Sequence, residues 1–316
     1  MVKFGLDITI WPWRYKSFDE VLRISLLAEK LGLDSLWFSD HLMYTVPGQG
    51  CLDPFSTLSA VASKTERIML GTKVICASFR HPGVVAKMGA TLDIISRGRL
   101  VLGIGAGWYK REFDAYGIPF SKRVGRMREV IEIIKKLWTE DQVNYEGRFY
   151  RLKGAVSSPK PVQKPHPPVW IAAERPRMLK IAAEIGDGWI TVNSKVEDLR
   201  RRLGIIQDYT SKIGREEEID VACYMYSSLA YTSEEAWRIA ERDILPERRR
   251  ALNPNLSLEE LGEVCLVGDP DEWISRIENY AEAGAKHIIV KIVPLDYERL
   301  KLYAEKVAGY FKEQSI

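Results

Sequence analysis

The sequence predicts an α/β protein folded as a single (β/α)8 barrel of the TIM type, with an insertion after the fourth strand. Strand-like and helix-like segments alternate along the whole chain, and eight strands in 316 residues fit one closed parallel sheet. An open doubly wound sheet needs a glycine fingerprint at an early strand-to-helix turn, and none is present. The third observation is the segment 98–107, where a short apolar run opens into Gly103, Gly105 and Gly107. Glycine weakens a strand, so its repetition there signals that another backbone or a ligand comes close. These glycines alternate within the strand, and the next helical pattern starts only near Gly125. That is not a dinucleotide motif.

Residues 4–10 read as the first strand, and Ser17 with Asp19 and Glu20 signals a helix over 18–31. Strands follow at 36–39, 68–75 and 100–104, with helices at 54–64, 82–95 and 126–138. The rhythm then breaks at about 141–168. Residues 143–145 and 149–152 flank the turn Glu146-Gly147-Arg148 as a β-hairpin. The stretch 158–168 is rich in proline, which fixes φ and removes donors, so it should run extended and irregular. Strands resume at 169–172, 189–192, 220–231 and 287–292, with helices at 177–185, 196–213, 234–250, 271–283 and 297–311. Residues 257–268 read as irregular. The whole is expected to be one domain, 1–316.

Composition narrows the function classes. The chain is 46% hydrophobic and carries a formal net charge of +3, so nothing calls for nucleic acid or an anionic membrane as partner. Cys51, Cys76, Cys223 and Cys265 are scattered without metal-site spacing, and four dispersed histidines form no cluster, so no metal is expected. The N-terminus shows no leader pattern, and no apolar run approaches the ~20 residues of a membrane span. A cytoplasmic protein is expected. Arg248, Arg249 and Arg250 read as a solvated helix face, and His166 and His287 as structural.

Parallel barrels build their sites from loops at the C-terminal ends of the strands. The candidates are therefore Trp11 and Trp13 after strand one, Asp40, His41 and Tyr44 after two, and Val74, Ile75 and Cys76 after three. Gly105, Ala106, Gly107 and Trp108 follow strand four, Ala173, Glu174, Arg175 and Pro176 strand five, and Lys195 strand six. Such a mouth, aromatic and glycine-lined, suits a flat conjugated ligand with a polar tail. Trp11, Trp13 and Tyr44 would line an apolar substrate slot.

At these residues the chain resembles the luciferase-like monooxygenase superfamily of flavin- and deazaflavin-dependent oxidoreductases. The matching segments are Ser39-Asp40-His41, residues 67–72, Arg80-His81-Pro82, residues 92–99, the glycine strand with Trp108 and Glu112, the 161–170 connector and Gly186-Asp187-Gly188-Trp189. The wording is most similar to members that use coenzyme F420, a 5-deazaflavin. The resemblance implies hydride transfer between that coenzyme and a small organic substrate, with His41 and Asp40 at the ring as catalytic and cofactor residues. It also implies a non-prolyl cis peptide at or near Lys73-Val74 behind the ring, extending the cofactor set through Ile75 and Cys76. Gly105 to Trp108 would skirt the coenzyme, and Ala173 to Pro176 would offer backbone donors to its phosphate. Glu174 is awkward there, with Arg175 or Arg177 to compensate. Two alternatives remain: an FMN-dependent monooxygenase fed by a separate flavin reductase, and a non-catalytic flavin-binding barrel. A homodimer through the helices at 54–64 and 82–95 is implied as well. Deazaflavin-dependent sugar-phosphate dehydrogenases place a glutamate directly after the last glycine. Trp108 stands there in this chain, which argues against that substrate, although Lys195 matches a lysine such enzymes use near the phosphate.

Overall fold

The computed structural model describes residues 2–9, 17–44, 50–215 and 217–314. Lys3–Asp7, Ser35–Phe38, Met69–Thr72, Leu100–Gly105, Val169–Ala172, Gly188–Val192, Asp220–Leu229 and His287–Ile292 pair side by side in parallel, in chain order. The eighth returns to the first, with Lys3 opposite His287 and Leu6 opposite Val290, so the sheet closes. Helices follow the strands and cover the barrel. Val21, Ile24 and Ala28 of the first helix bury one face, while the acidic Asp19 and Glu20 lie in its first turn, where they favour the helix dipole.

Two apolar layers result. One fills the space between strands and helices, from Phe4 and Leu36 to Ile288 and Leu300. The other lies inside the barrel, where Trp37 stacks on Trp170 with ring centroids 5.3 Å apart and His287 stands edge-on to both. His287 Nε2 lies 2.7 Å from Ser35 Oγ, which also accepts from the Trp37 indole at 2.7 Å.

The third strand is broken. After Thr72 comes a cis Lys73–Val74 bond, and Ile75–Cys76 then pairs with Ile104 and Gly105 of the fourth strand. This is where the resemblance placed the bond. It also accounts for the fourth-strand glycines. A Cβ at Gly103 would sit 1.9 Å from the Thr72 carbonyl oxygen, and one at Gly105 would sit 2.8 Å from Val74 Cγ2. Of the two causes read from the sequence, a neighbouring backbone is the one that acts at Gly103.

The hairpin forms from Val143–Glu146 and Arg151–Ala155. The connector after it is pinned to the barrel by buried Asp93, which accepts from the amides of Val162 and Gln163 and from the Gln163 side chain. Three elements depart from the sequence reading. Lys110–Ala115 is a helix directly after the glycine strand. Leu258–Val264 is a helix with a Ser257/Glu260 capping box, and Leu266–Gly268 is a short strand beside the end of the seventh. They are short and lack a full hydrophobic period, and the strand exists only through its partner. The helices at 234–250 and 297–311 also each contain a π-helical stretch, Ala240–Ile244 and Tyr303–Ala308.

Burial pushes the His287 pKa down from 6.5 to about 3, with Lys3 adding to the effect. The folded state therefore holds a neutral ring, whereas the unfolded chain takes up the proton. The stability from this group is complete above about pH 6.5 and is lost as pH falls toward about 3. His287→Gln, which stays uncharged, is expected to show a shallower loss of Tm across that window than the native protein. Equal slopes in a pH series of thermal melts would contradict the assignment.

Candidate active site

His41 follows the second strand, and its Nδ1 lies 3.1 Å from Glu112 Oε2. The other oxygen of Glu112 accepts from the amides of Leu42 at 2.6 Å and Met43 at 3.1 Å. Glu112 is 2% exposed. A carboxylate only accepts, so the pair assigns the proton to Nδ1 and makes Nε2 the basic nitrogen. The ring stands edge-on to Tyr44 and Trp108, at 5.4 Å and 6.1 Å between centroids. Glu112 belongs to the helix the sequence reading lacked. Its signal was there, an acidic residue one turn beyond the last glycine, but its partner is 71 positions away.

Asp40, expected beside His41 at the ring, lines the same cavity and is held from two sides. Arg80 grips both of its oxygens, at 2.7 Å and 3.0 Å, and the Cys76 amide donates to Oδ2 at 3.0 Å. Arg80 also donates to Asp53, whose other oxygen caps the helix Pro54–Ala62. A carboxylate so committed is a positioning group. It fastens the end of strand two to the broken strand three.

Below the mouth lies a cluster of buried charges. Lys73 turns into the barrel, with Nζ 2.9 Å from Asp7 Oδ2 and 3.5 Å from the Tyr224 ring centre. Burial lowers its pKa to about 8, against the pull of Asp7. Glu247 accepts from Tyr44 at 2.7 Å and from Tyr226 at 2.9 Å. Burial pushes its pKa up, but Lys291 and the two phenols outweigh that and leave it lowered. Arg248 lies over the Tyr226 ring, 4.6 Å from its centre. The run of arginines is thus not a uniformly solvated face: Glu247 and Arg248 turn to the site, while Arg249 and Arg250 are exposed. The π-helical turn just ahead puts an extra residue into the repeat and rotates the face that a 3.6-residue period predicts.

Tyr44, Lys73, Tyr224, Tyr226 and Arg248 of this cluster line a cavity of about 850 Å³ at the C-terminal mouth. Of the sequence candidates, Asp40, His41, Tyr44, Lys73, Val74, Ile75, Cys76 and Gly105 line it, as do Ala106, Gly107, Trp108, Ala173, Glu174 and Arg175. Pro176 instead opens the helix Pro176–Ile185, and Lys195 pairs with Glu263 at 2.5 Å, away from the lining. Trp11 and Trp13 lie outside the described residues. The awkward charge of Glu174 is met by Arg202, and its carboxylate also accepts from Thr191 and from the Val192 amide. The compensating cation comes from the next helix rather than from Arg175 or Arg177.

Fold and cavity together define a parallel-barrel protein with a large cavity at its mouth and a carboxylate-held histidine on the wall. The chain belongs to the luciferase-like monooxygenase family, whose model matches residues 7–287. It is 32% identical to the F420-dependent glucose-6-phosphate dehydrogenase of Microbacterium testaceum, over 92% of each chain. The enzyme of the same name from Amycolatopsis mediterranei is 30% identical, over 91% of this chain and 93% of its own. Among solved structures, a monooxygenase from Streptomyces bottropensis superposes with a TM-score of 0.84 at 28% identity, covering 98% of this chain and all of that one. The coenzyme F420 dependent tetrahydromethanopterin reductase of Methanopyrus kandleri gives 0.82 at 25%, covering 98% and 99%.

Removing the Glu112 carboxylate strips two backbone amides and the His41 ring of their acceptor. Glu112→Ala is expected to cost about 2 kcal/mol of stability in urea denaturation, the order of magnitude for unsatisfied buried groups, and Glu112→Gln less. An unshifted urea midpoint for Glu112→Ala would remove Glu112 from this role.

Proposed function

We propose that the protein is a coenzyme F420-dependent oxidoreductase that passes a hydride between the deazaflavin and a small organic substrate in the cytoplasm. The observation that carries this reading is the His41–Glu112 pair on the wall of a cavity backed by the broken third strand. The names of the F420-dependent relatives support the choice of coenzyme.

The residues present fit such a group. At about 850 Å³ the cavity falls within the range of cofactor sites. Val74 and the backbone of Gly105 to Gly107 offer a flat apolar wall, and Arg123, Arg175 and Arg177 stand on the lining near the N-terminus of the ten-residue helix Pro176–Ile185. A helix start and basic side chains suit the phosphate of the coenzyme's tail. When bound, the deazaflavin supplies the hydride acceptor or donor. The chain supplies the proton chemistry. A substrate hydroxyl that loses hydride also loses a proton, and Nε2 of His41 receives it while Glu112 holds the ring in orientation. Asp40 and Arg80 keep the strand ends in register.

Sugar phosphate, the substrate in the relatives' name, is not carried over. Trp108 replaces the glutamate after the last glycine, and Lys195 is paired with Glu263 outside the lining. Purified protein is expected to bind coenzyme F420 in preference to FMN, followed by the coenzyme's visible absorbance. His41→Ala is expected to lower single-turnover hydride transfer by ~10²-fold while coenzyme affinity changes less. Preferential FMN binding would redirect the reading to a monooxygenase fed by a flavin reductase, and firm binding without turnover of any donor to a non-catalytic barrel.

The assembly proposed is a homodimer through the helices Pro54–Ala62 and Pro82–Ser96. On the second of these, Val84, Ile94 and Ile95 are 49%, 38% and 39% exposed, more apolar surface than the barrel-facing stripe uses. Light scattering at micromolar concentration is expected to give twice the 36.1 kDa chain mass, and a monomer would contradict it. No helix among the described residues is long and apolar enough to cross a membrane.

A further inference from the structure

We propose that the Tyr226 side of the cavity is a carboxylate subsite, anchored by Arg248, and that the substrate is a small organic acid with an apolar body. The inference deepens the functional reading and rests on it for the reaction, but not for the binding.

Arg248 carries the argument. Its guanidinium lines the cavity and meets the Tyr226 ring, and among the described residues no carboxylate lies within ion-pair distance of it. The other cations here are engaged: Lys73 with Asp7, and Lys291 within reach of the Tyr226 hydroxyl at 3.4 Å. Among the described residues, three basic side chains, Lys73, Lys291 and Arg248, stand with two carboxylates, Asp7 and Glu247. Asn193 lines the same side. Its side-chain oxygen accepts from the Tyr226 amide, while its NH2 is buried without an acceptor among the described residues. An anionic oxygen acceptor would offset both features.

The surrounding wall decides between anions. Leu252, Leu256, Leu261 and Val264 line the cavity beside the arginine, and Leu252 is 58% exposed there. A guanidinium fork matches the two oxygens of a carboxylate. A phosphate carries further oxygens and a sugar several hydroxyls, and the leucine wall offers these no partner. The apolar wall instead suits a hydrocarbon body. The anchor is also placed for the reaction. Arg248 lies over Tyr226, the Tyr226 hydroxyl is 3.4 Å from that of Tyr44, and the Tyr44 ring is 5.4 Å from that of His41. A carbon chain held at Arg248 runs toward His41.

The test is calorimetric titration of the full-length protein, with and without oxidised coenzyme F420, using hydrocinnamate, hydrocinnamide and inorganic phosphate. The native protein is expected to bind hydrocinnamate at least about 10-fold more tightly than either of the others, as a charge-assisted contact implies. Arg248→Met is expected to abolish that preference while leaving amide binding unchanged. Arg248→Lys, which keeps the charge and loses the fork, should fall between and covers the case in which the methionine variant does not fold. A native protein that does not prefer hydrocinnamate to its amide, a phosphate that binds more tightly and loses that binding in Arg248→Met, or an Arg248→Met or Arg248→Lys protein that keeps the full preference would overturn the subsite. Carboxylate preference without coenzyme binding would leave the subsite standing and sink the functional reading. Coenzyme binding without carboxylate preference would do the reverse.

Discussion

The approach of the third strand to the fourth sets the shape of the mouth. The Thr72 carbonyl oxygen occupies the place where any side chain at Gly103 would begin, and the Thr72 hydroxyl donates to the Gly103 carbonyl at 2.7 Å. Contact this close holds the broken segment against the sheet, and Ile75 and Cys76 rejoin the ladder beyond it. Val74 is thereby turned to the cavity and Lys73 into the barrel. Asp40 then fastens the segment from the other side through the Cys76 amide, and Arg80 links Asp40 to the cap of the next helix. Wall and floor of the site are consequences of one steric constraint and one carboxylate.

Buried ionisable groups concentrate around the mouth. A buried charge is costly unless paired and hydrogen-bonded, and nearly every one here is. Glu112 serves one histidine and two amides, Glu247 two phenols, Asp7 a lysine and a phenol, and Glu174 is met by Arg202. These pairs bring together residues from different strands and helices, so they fix the relative positions of loops that would otherwise be independent. Rigidity of this kind is what a site needs if it is to hold a flat ring and a small substrate in register. Arg248 stands apart from that pattern, since its charge is met by an aromatic face.

Alternation of strand and helix determined a parallel sheet with covered crossovers, and the count of eight units with no early glycine fingerprint determined the closed barrel. Most element positions, the hairpin and the ends of strands two to six as the source of the site also followed from the sequence, since they rest on local periodicity and on a rule of the fold. Glycines at 103 and 105 announced a close approach, though not which group approaches. The tertiary structure alone decided that, and it decided the partners: Glu112 for His41, Arg80 for Asp40, Arg202 for Glu174. Each pair spans 28 to 71 positions, and periodicity carries no information at that range. Arg248 was misread because a run of charges reads as one solvated face, whereas the helix turns Arg248 to the cavity and Arg249 and Arg250 outward. Local sequence sets which elements form. Which charge meets which is settled only when the closed sheet brings distant loops to one mouth and burial makes an unpaired charge too costly to leave.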